Sequence, residues 1–172
     1  DACGNLTPAE KNVKSVSAAI KRLGPFLRKT EPCKGDAAVY YGDKARLYSE
    51  SENLKEFDYL TDFRMSYKAF TDLGIYREIV TDESDFSEYG LIYVPYALYI
   101  PSATVDKMFA AASGGSTVIF GAYTGIRDEN HLAYTDFVLG EIERKIGKKC
   151  KYFTGLKENG EIDVFGVDSP IS

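Results

Sequence analysis

The residues best placed to do chemistry in this 172-residue chain lie in one unusual loop, Gly121-Ala122-Tyr123-Thr124-Gly125-Ile126-Arg127-Asp128-Glu129-Asn130, which follows an apolar run ending at Phe120. A cysteine on the tight turn here would be a nucleophile for amide-bond chemistry, and it would need a base beside it. The turn holds Ala122, Tyr123 and Thr124 instead, and Thr124 has no activating base that the sequence identifies. The single histidine, His131, reads as a helix-start or surface residue. Asp128 and Glu129 are adjacent, whereas glycoside hydrolysis needs two carboxylates about 5–10 Å apart across a substrate. They read as caps for a following helix, or as partners for Arg127 or a neighbouring subunit.

Other strand ends are equally bare. Gly42-Asp43-Lys44-Ala45-Arg46 has one glycine where a phosphate loop needs several, so that main-chain N–H groups can approach the anion. Pro95-Tyr96-Ala97-Leu98-Tyr99 offers only phenols, which favour packing with the hydroxyl bonded nearby. Asp82, Glu83, Asp85 and Glu88 form a solvated acidic turn whose spacing matches no calcium loop. Cys3, Cys33 and Cys150 lie in no Cys-x-x-Cys pair, which disfavours zinc and redox roles. A Cys3–Cys33 disulfide and free thiols both remain open. The residues thus predict no catalytic group, no cofactor and no metal.

The elements that would carry these loops are legible from periodicity. Thr7-Pro8-Ala9-Glu10 fits a capping box, and Val13, Val16, Ile20, Leu23 and Leu27 then form one helical stripe that must pack on something. That helix ends before Pro32. Strands are predicted at 37–41, 75–80, 91–94 and 117–120, with helices at 58–73, from a Ser102 cap onward, and within 134–146. Residues 44–57 read as a polar loop. Asn159-Gly160 predicts a hairpin between 149–156 and 161–165. Alternating strands and helices imply a parallel sheet with helices on both faces. The fold class is therefore α/β: a three-layer, doubly wound, mainly parallel sheet of flavodoxin-like type with a C-terminal β-hairpin. One domain spans 1–172, with its core at about 13–150, and 150–172 is either the hairpin or the start of a following domain.

Composition narrows the partners. Net charge is −5, with Lys and Arg scattered, so no basic face for a nucleic acid stands out. No stretch approaches the ~20 apolar residues of a membrane helix. The opening Asp1 suggests a piece of a longer chain. The compartment, bacterial cytoplasm or periplasm, is not readable.

Two segments carry a resemblance. Asp85-Phe86-Ser87-Glu88-Tyr89-Gly90-Leu91-Ile92-Tyr93-Val94-Pro95 resembles the D-L-S-x-Y-K-L-(L/V)-(V/I)-x-P run of the trimerisation domain in family 42 β-galactosidases. Ala112-Ser113-Gly114-Gly115-Ser116-Thr117-Val118-Ile119-Phe120, then Thr124-Gly125-Ile126-Arg127-Asp128-Glu129-Asn130, resembles that domain's glycine-led strand and its T-G-x-x-D-E-x loop. The resemblance covers residues 13 to about 150. It implies a class I amidotransferase-like fold without amidotransferase chemistry, which follows a (β/α)₈ barrel bearing two catalytic glutamates and helps three subunits assemble. Tyr96, Tyr99, Tyr123, Thr124, Gly125, Arg127, Asp128, Glu129 and Asn130 become candidates for facing that barrel or a neighbour. The expected function is a non-catalytic assembly domain of a glycoside hydrolase. The alternatives are a carbohydrate-binding module using Tyr93, Tyr96, Tyr99 and Tyr123, or a stand-alone amidotransferase-like enzyme.

Overall fold

A computed structural model describes residues 9–52 and 58–150. The chain divides into two compact units, Asp1–Gly35 and Asp36–Ser172.

The first unit holds helix α1 (Glu10–Leu27). Its N-cap is Ala9, which makes no side-chain cap bond; Thr7 and Pro8 of the expected capping box lie outside the described residues. Pro25 sits within the last turn, and Arg28 and Thr30 close the end through main-chain bonds to Gly24 and Leu27. The predicted stripe is present, yet Val13, Val16, Ile20, Leu23 and Leu27 are all exposed, and no residue of α1 is buried.

The second unit is built on four parallel strands: β1 (Ala37–Tyr40), β2 (Arg77–Val80), β3 (Leu91–Val94) and β4 (Thr117–Phe120). Their order across the sheet is β2-β1-β3-β4. That matches the first four strands of the flavodoxin order and puts the switch point between β1 and β3. Successive residues point to opposite faces. Ala37, Val39, Leu91 and Tyr93 meet Phe63, Tyr67 and Phe70 of helix α3 (Tyr59–Asp72) on one side. Ala38, Tyr40, Ile92 and Val94 meet Val105, Met108 and Ala111 of helix α4 (Ser102–Ser113), and Ile142 of helix α5 (Gly140–Ile146), on the other. Three layers result, and β1 and β3 are covered on both faces, which is why they read as unbroken apolar runs. Each fully buried Val or Ile contributes about 1.5–3 kcal/mol by leaving water.

Local chemistry sets the element ends. Asp58 caps α3, its carboxylate accepting from the Thr61 N–H at 2.9 Å, and Gly74 leaves that helix with φ +69. Asp85 likewise starts a short 3₁₀ turn, Phe86–Glu88, inside the predicted acidic turn. Two expectations need correction. Residues 44–57 are not all loop, because Asp43–Glu52 forms helix α2. Its low apolar content hid it: only Ala45 and Ser49 are buried, four apart on one face. Ser102 is the first residue of α4 rather than its cap, with Pro101 before it and no side-chain cap bond. The helix expected within 134–146 is present as α5, Gly140–Ile146. The predicted hairpin falls almost wholly beyond residue 150, outside the described residues. Cys33 is a free thiol; Cys3 lies outside the described residues.

Candidate functional site

At the carboxyl ends of the strands, where doubly wound folds bind ligands, the loop after β4 meets helix α2. The loop leaves the sheet through a sharp bend. Gly121 donates its N–H to the Val94 carbonyl at 2.7 Å, and a Cβ there would stand 2.9 Å from that oxygen. Tyr123 follows with φ +57, and Gly125 with φ +75. A non-glycine residue in this region stores about 1 kcal/mol or more and persists only where its surroundings dictate it. Gly121-Ala122-Tyr123-Thr124-Gly125 thus makes a tight bend directly after a parallel strand. Its central residue here is a phenol, packed edge-to-face on Tyr96 with ring centres 5.9 Å apart.

Each candidate residue now has a place. Tyr96, Tyr99, Thr124 and Gly125 lie inside the unit. The Thr124 hydroxyl donates to the Pro95 carbonyl at 3.3 Å, and Thr124 is 1% exposed, so it cannot meet a substrate. The Tyr96 N–H donates to Asp62 at 2.7 Å, and burial pushes the Tyr96 phenol up to about 12. Burial also raises the Tyr99 phenol, whose ring lies 5.5 Å from that of Tyr48. Gly125 donates to the Ala97 carbonyl and Arg127 to the Leu98 carbonyl, both at 2.8 Å, stitching the loop to the segment after β3. Asp128 closes its own turn, accepting from the N–H groups of Asn130 at 2.9 Å and Leu132 at 2.8 Å. Glu129 and Asn130 are exposed at the tip.

Arg127 does not pair with Asp128 or Glu129. Its Nε and Nη2 reach the two carboxylate oxygens of Glu52, at 2.6 and 3.1 Å. His131 is not a helix start either. It occupies a left-handed turn, φ +64, with Nε2 at 2.8 Å from the same carboxylate and its ring stacked on Tyr48 at 4.3 Å. The Tyr48 hydroxyl donates to the Glu129 carbonyl at 2.6 Å. Tyr48, Ser51 and Glu52 were missed because their segment was read as loop. The signal was the spacing of Ala45, Tyr48, Ser49 and Glu52, which puts them on neighbouring turns of one helix face.

Ser51, His131 and Glu52 superficially resemble a hydroxyl–imidazole–carboxylate relay. The Ser51 hydroxyl, however, donates to the Tyr48 carbonyl at 2.8 Å and stands 3.4 Å from His131 Nδ1, beyond good hydrogen-bond reach. Glu52 is committed to Arg127 on both oxygens. The cluster is built to hold a loop still. No group of three or more His, Cys, Asp or Glu residues able to hold a metal occurs among the described residues.

Residues 35–169 match the family model described as "Beta-galactosidase trimerisation domain". The chain is 30% identical over 174 residues to β-galactosidase YesZ of Bacillus subtilis (strain 168), covering 99% of this chain and 26% of that protein. It is 31% identical over 127 residues to β-galactosidase GanA of the same organism, covering 73% and 19%. Among solved structures, the β-galactosidase from Bifidobacterium adolescentis superposes with a TM-score of 0.62 at 25% identity, covering 72% of this chain and 59% of that one. The family 42 β-galactosidase Gan42B gives 0.64 at 21% identity, covering 80% and 20%. The chain spans about a quarter of the length of the YesZ relatives.

Proposed function

Because this chain belongs to the β-galactosidase trimerisation-domain family, we propose that it serves as the assembly module of a larger family 42 glycoside hydrolase and performs no hydrolysis by itself. The observation that carries the reading is the Glu52–Arg127–His131 cluster. Glu52, Arg127 and His131 are engaged with one another, and the loop they hold presents Glu129 and Asn130 outward. A surface held in one conformation costs little ordering entropy when it meets a neighbour. In the parent, the catalytic carboxylates would reside in a (β/α)₈ barrel, and the loop tip would face that barrel or an adjacent subunit of a trimer.

Two measurements test this. The isolated chain is incubated with an aryl β-galactoside, and no turnover above buffer is expected. The parent enzyme is then examined by sedimentation with and without Glu129→Lys and Asn130→Lys, and a shift from trimer toward monomer is expected. Turnover by the isolated chain that disappears in Glu52→Gln would overturn the reading. So would a parent that keeps its trimer and activity through both substitutions.

A further inference from the structure

The chain holds two methionines, and the fold treats them oppositely. Met108 of α4 is 0% exposed and packs in the core cluster with Val105, Ala111 and Ile142. Met65 of α3 is 62% exposed. It borders two hollows on the α3 side of the sheet. One, of about 350 Å³, is walled by Met65 with Ser66, Ala69, Phe70, Leu73 and Tyr93. The other, of about 310 Å³, brings Met65 and Tyr93 together with Asp58, Asp62, Tyr96 and Ala122 of the bend after β4. Met65 therefore stands on the divide between a mainly apolar hollow and one that holds two carboxylates.

A thioether in contact with water is open to a two-electron oxidant such as hydrogen peroxide. A sulfur lone pair attacks one peroxide oxygen, an S–O bond forms, the O–O bond breaks, and water leaves. Sulfur is oxidised and the peroxide is reduced. The product is a polar, chiral sulfoxide, and reductases specific for each of its epimers restore the thioether. The hydroxyls beside Met65 have already given their protons, Thr61 to the Asp58 carboxylate at 2.5 Å and Ser66 to the Asp62 carbonyl at 2.7 Å. The new oxygen therefore turns to water, which the exposure of Met65 allows. At Met108 the same oxygen would be buried among apolar side chains, where a polar group without a partner is costly.

We propose that Met65 is a reversible oxidation site, converted to the sulfoxide by hydroperoxides while the fold stays intact. The added oxygen makes polar the wall that the two hollows share. It thus changes the character of the α3 face and leaves the sheet beneath it untouched. The proposal is independent of the assembly role.

Peptide mass spectrometry on the intact chain treated with hydrogen peroxide tests this. Met65 is expected to gain one oxygen at least about tenfold faster than Met108, and the two rates should converge in strong urea, where both sulfurs are open. Methionine sulfoxide reductases for both epimers should then remove the oxygen from Met65 in the folded chain. Met65→Leu, which cannot be oxidised there, is treated in parallel so that peroxide effects on the cysteines cancel. Both chains should keep the urea midpoint they had before treatment, apart from any change they share. Equal rates at the two methionines in the folded chain would overturn the proposal. So would a sulfoxide at Met65 that the reductases cannot reach, or a loss of stability on oxidation that Met65→Leu escapes.

Discussion

The carboxylate of Glu52 grips the guanidinium of Arg127 through two parallel hydrogen bonds, at 2.6 and 3.1 Å, across 75 positions of sequence. Their side chains are 16% and 24% exposed, so the pair is only partly wet. Planar two-point bonding of this kind needs arginine. Glu52→Gln and Arg127→Lys should each lower unfolding free energy by about 1–3 kcal/mol in urea titrations. The double variant should lose less than the sum of the two. Full additivity would mean that the contact contributes nothing.

Gly125 occupies a conformation that other residues adopt at a cost, and a Cβ there would lie 3.0 Å from Ile142 and 3.3 Å from the Leu139 carbonyl. Gly125→Ala should destabilise the fold by about 1–3 kcal/mol. Gly24→Ala is the control. Nothing lies within 4 Å of that Cβ, the site is helical, and replacing glycine should help α1 by about 0.5–1 kcal/mol. Thermal melts of the two variants should therefore move in opposite directions.

Asp58 is the one side chain that caps α3, and the Thr61 hydroxyl and N–H hold its carboxyl below the usual carboxylate range. A lowered folded-state value means stability that is present above the unfolded value, near pH 4, and is lost as pH falls through the folded one. Asp58→Ala should cost about 1 kcal/mol at neutral pH, and the deficit should shrink in acid. Urea midpoints measured at neutral pH and at pH 3 would show it. An equal deficit at both values would assign the loss to something other than the charged cap.

Burial raises the phenols of Tyr40, Tyr59, Tyr89 and Tyr96, with Tyr89 and Tyr96 pushed up to about 12. Their stabilising share is complete below pH 10 and is lost as pH climbs from there toward the folded values. Phenolate absorbance should rise in two stages, surface tyrosines first, with the late stage coinciding with loss of the far-ultraviolet helical signal. A single stage near pH 10 would count against the buried placement.

How far the sequence disclosed this arrangement can be seen residue by residue. The central strands were legible because Ala38, Val39, Ile92 and Val94 are covered on both faces, which demands unbroken apolar runs. The span of α3 was legible from the spacing of Leu60, Phe63, Tyr67 and Phe70, with Gly74 placed to stop it. Helix α2 was hidden, because its contacts are polar and long-range: Tyr48 to Glu129, Glu52 to Arg127 and His131. No periodicity encodes a partner eighty positions away. The loop after β4 was rightly singled out by its composition, but its internal wiring depended on the unseen helix. The reversed conformations at Tyr123 and His131 were likewise invisible, since only surrounding bonds select them.

The bend at Tyr123 is enforced by Gly121, Gly125 and their main-chain partners, and none of these is a reacting group. The central side chain can therefore be exchanged without re-forming the turn around it. Position 123 is therefore where a designer could place a new side chain on a bend that the surrounding main chain already dictates.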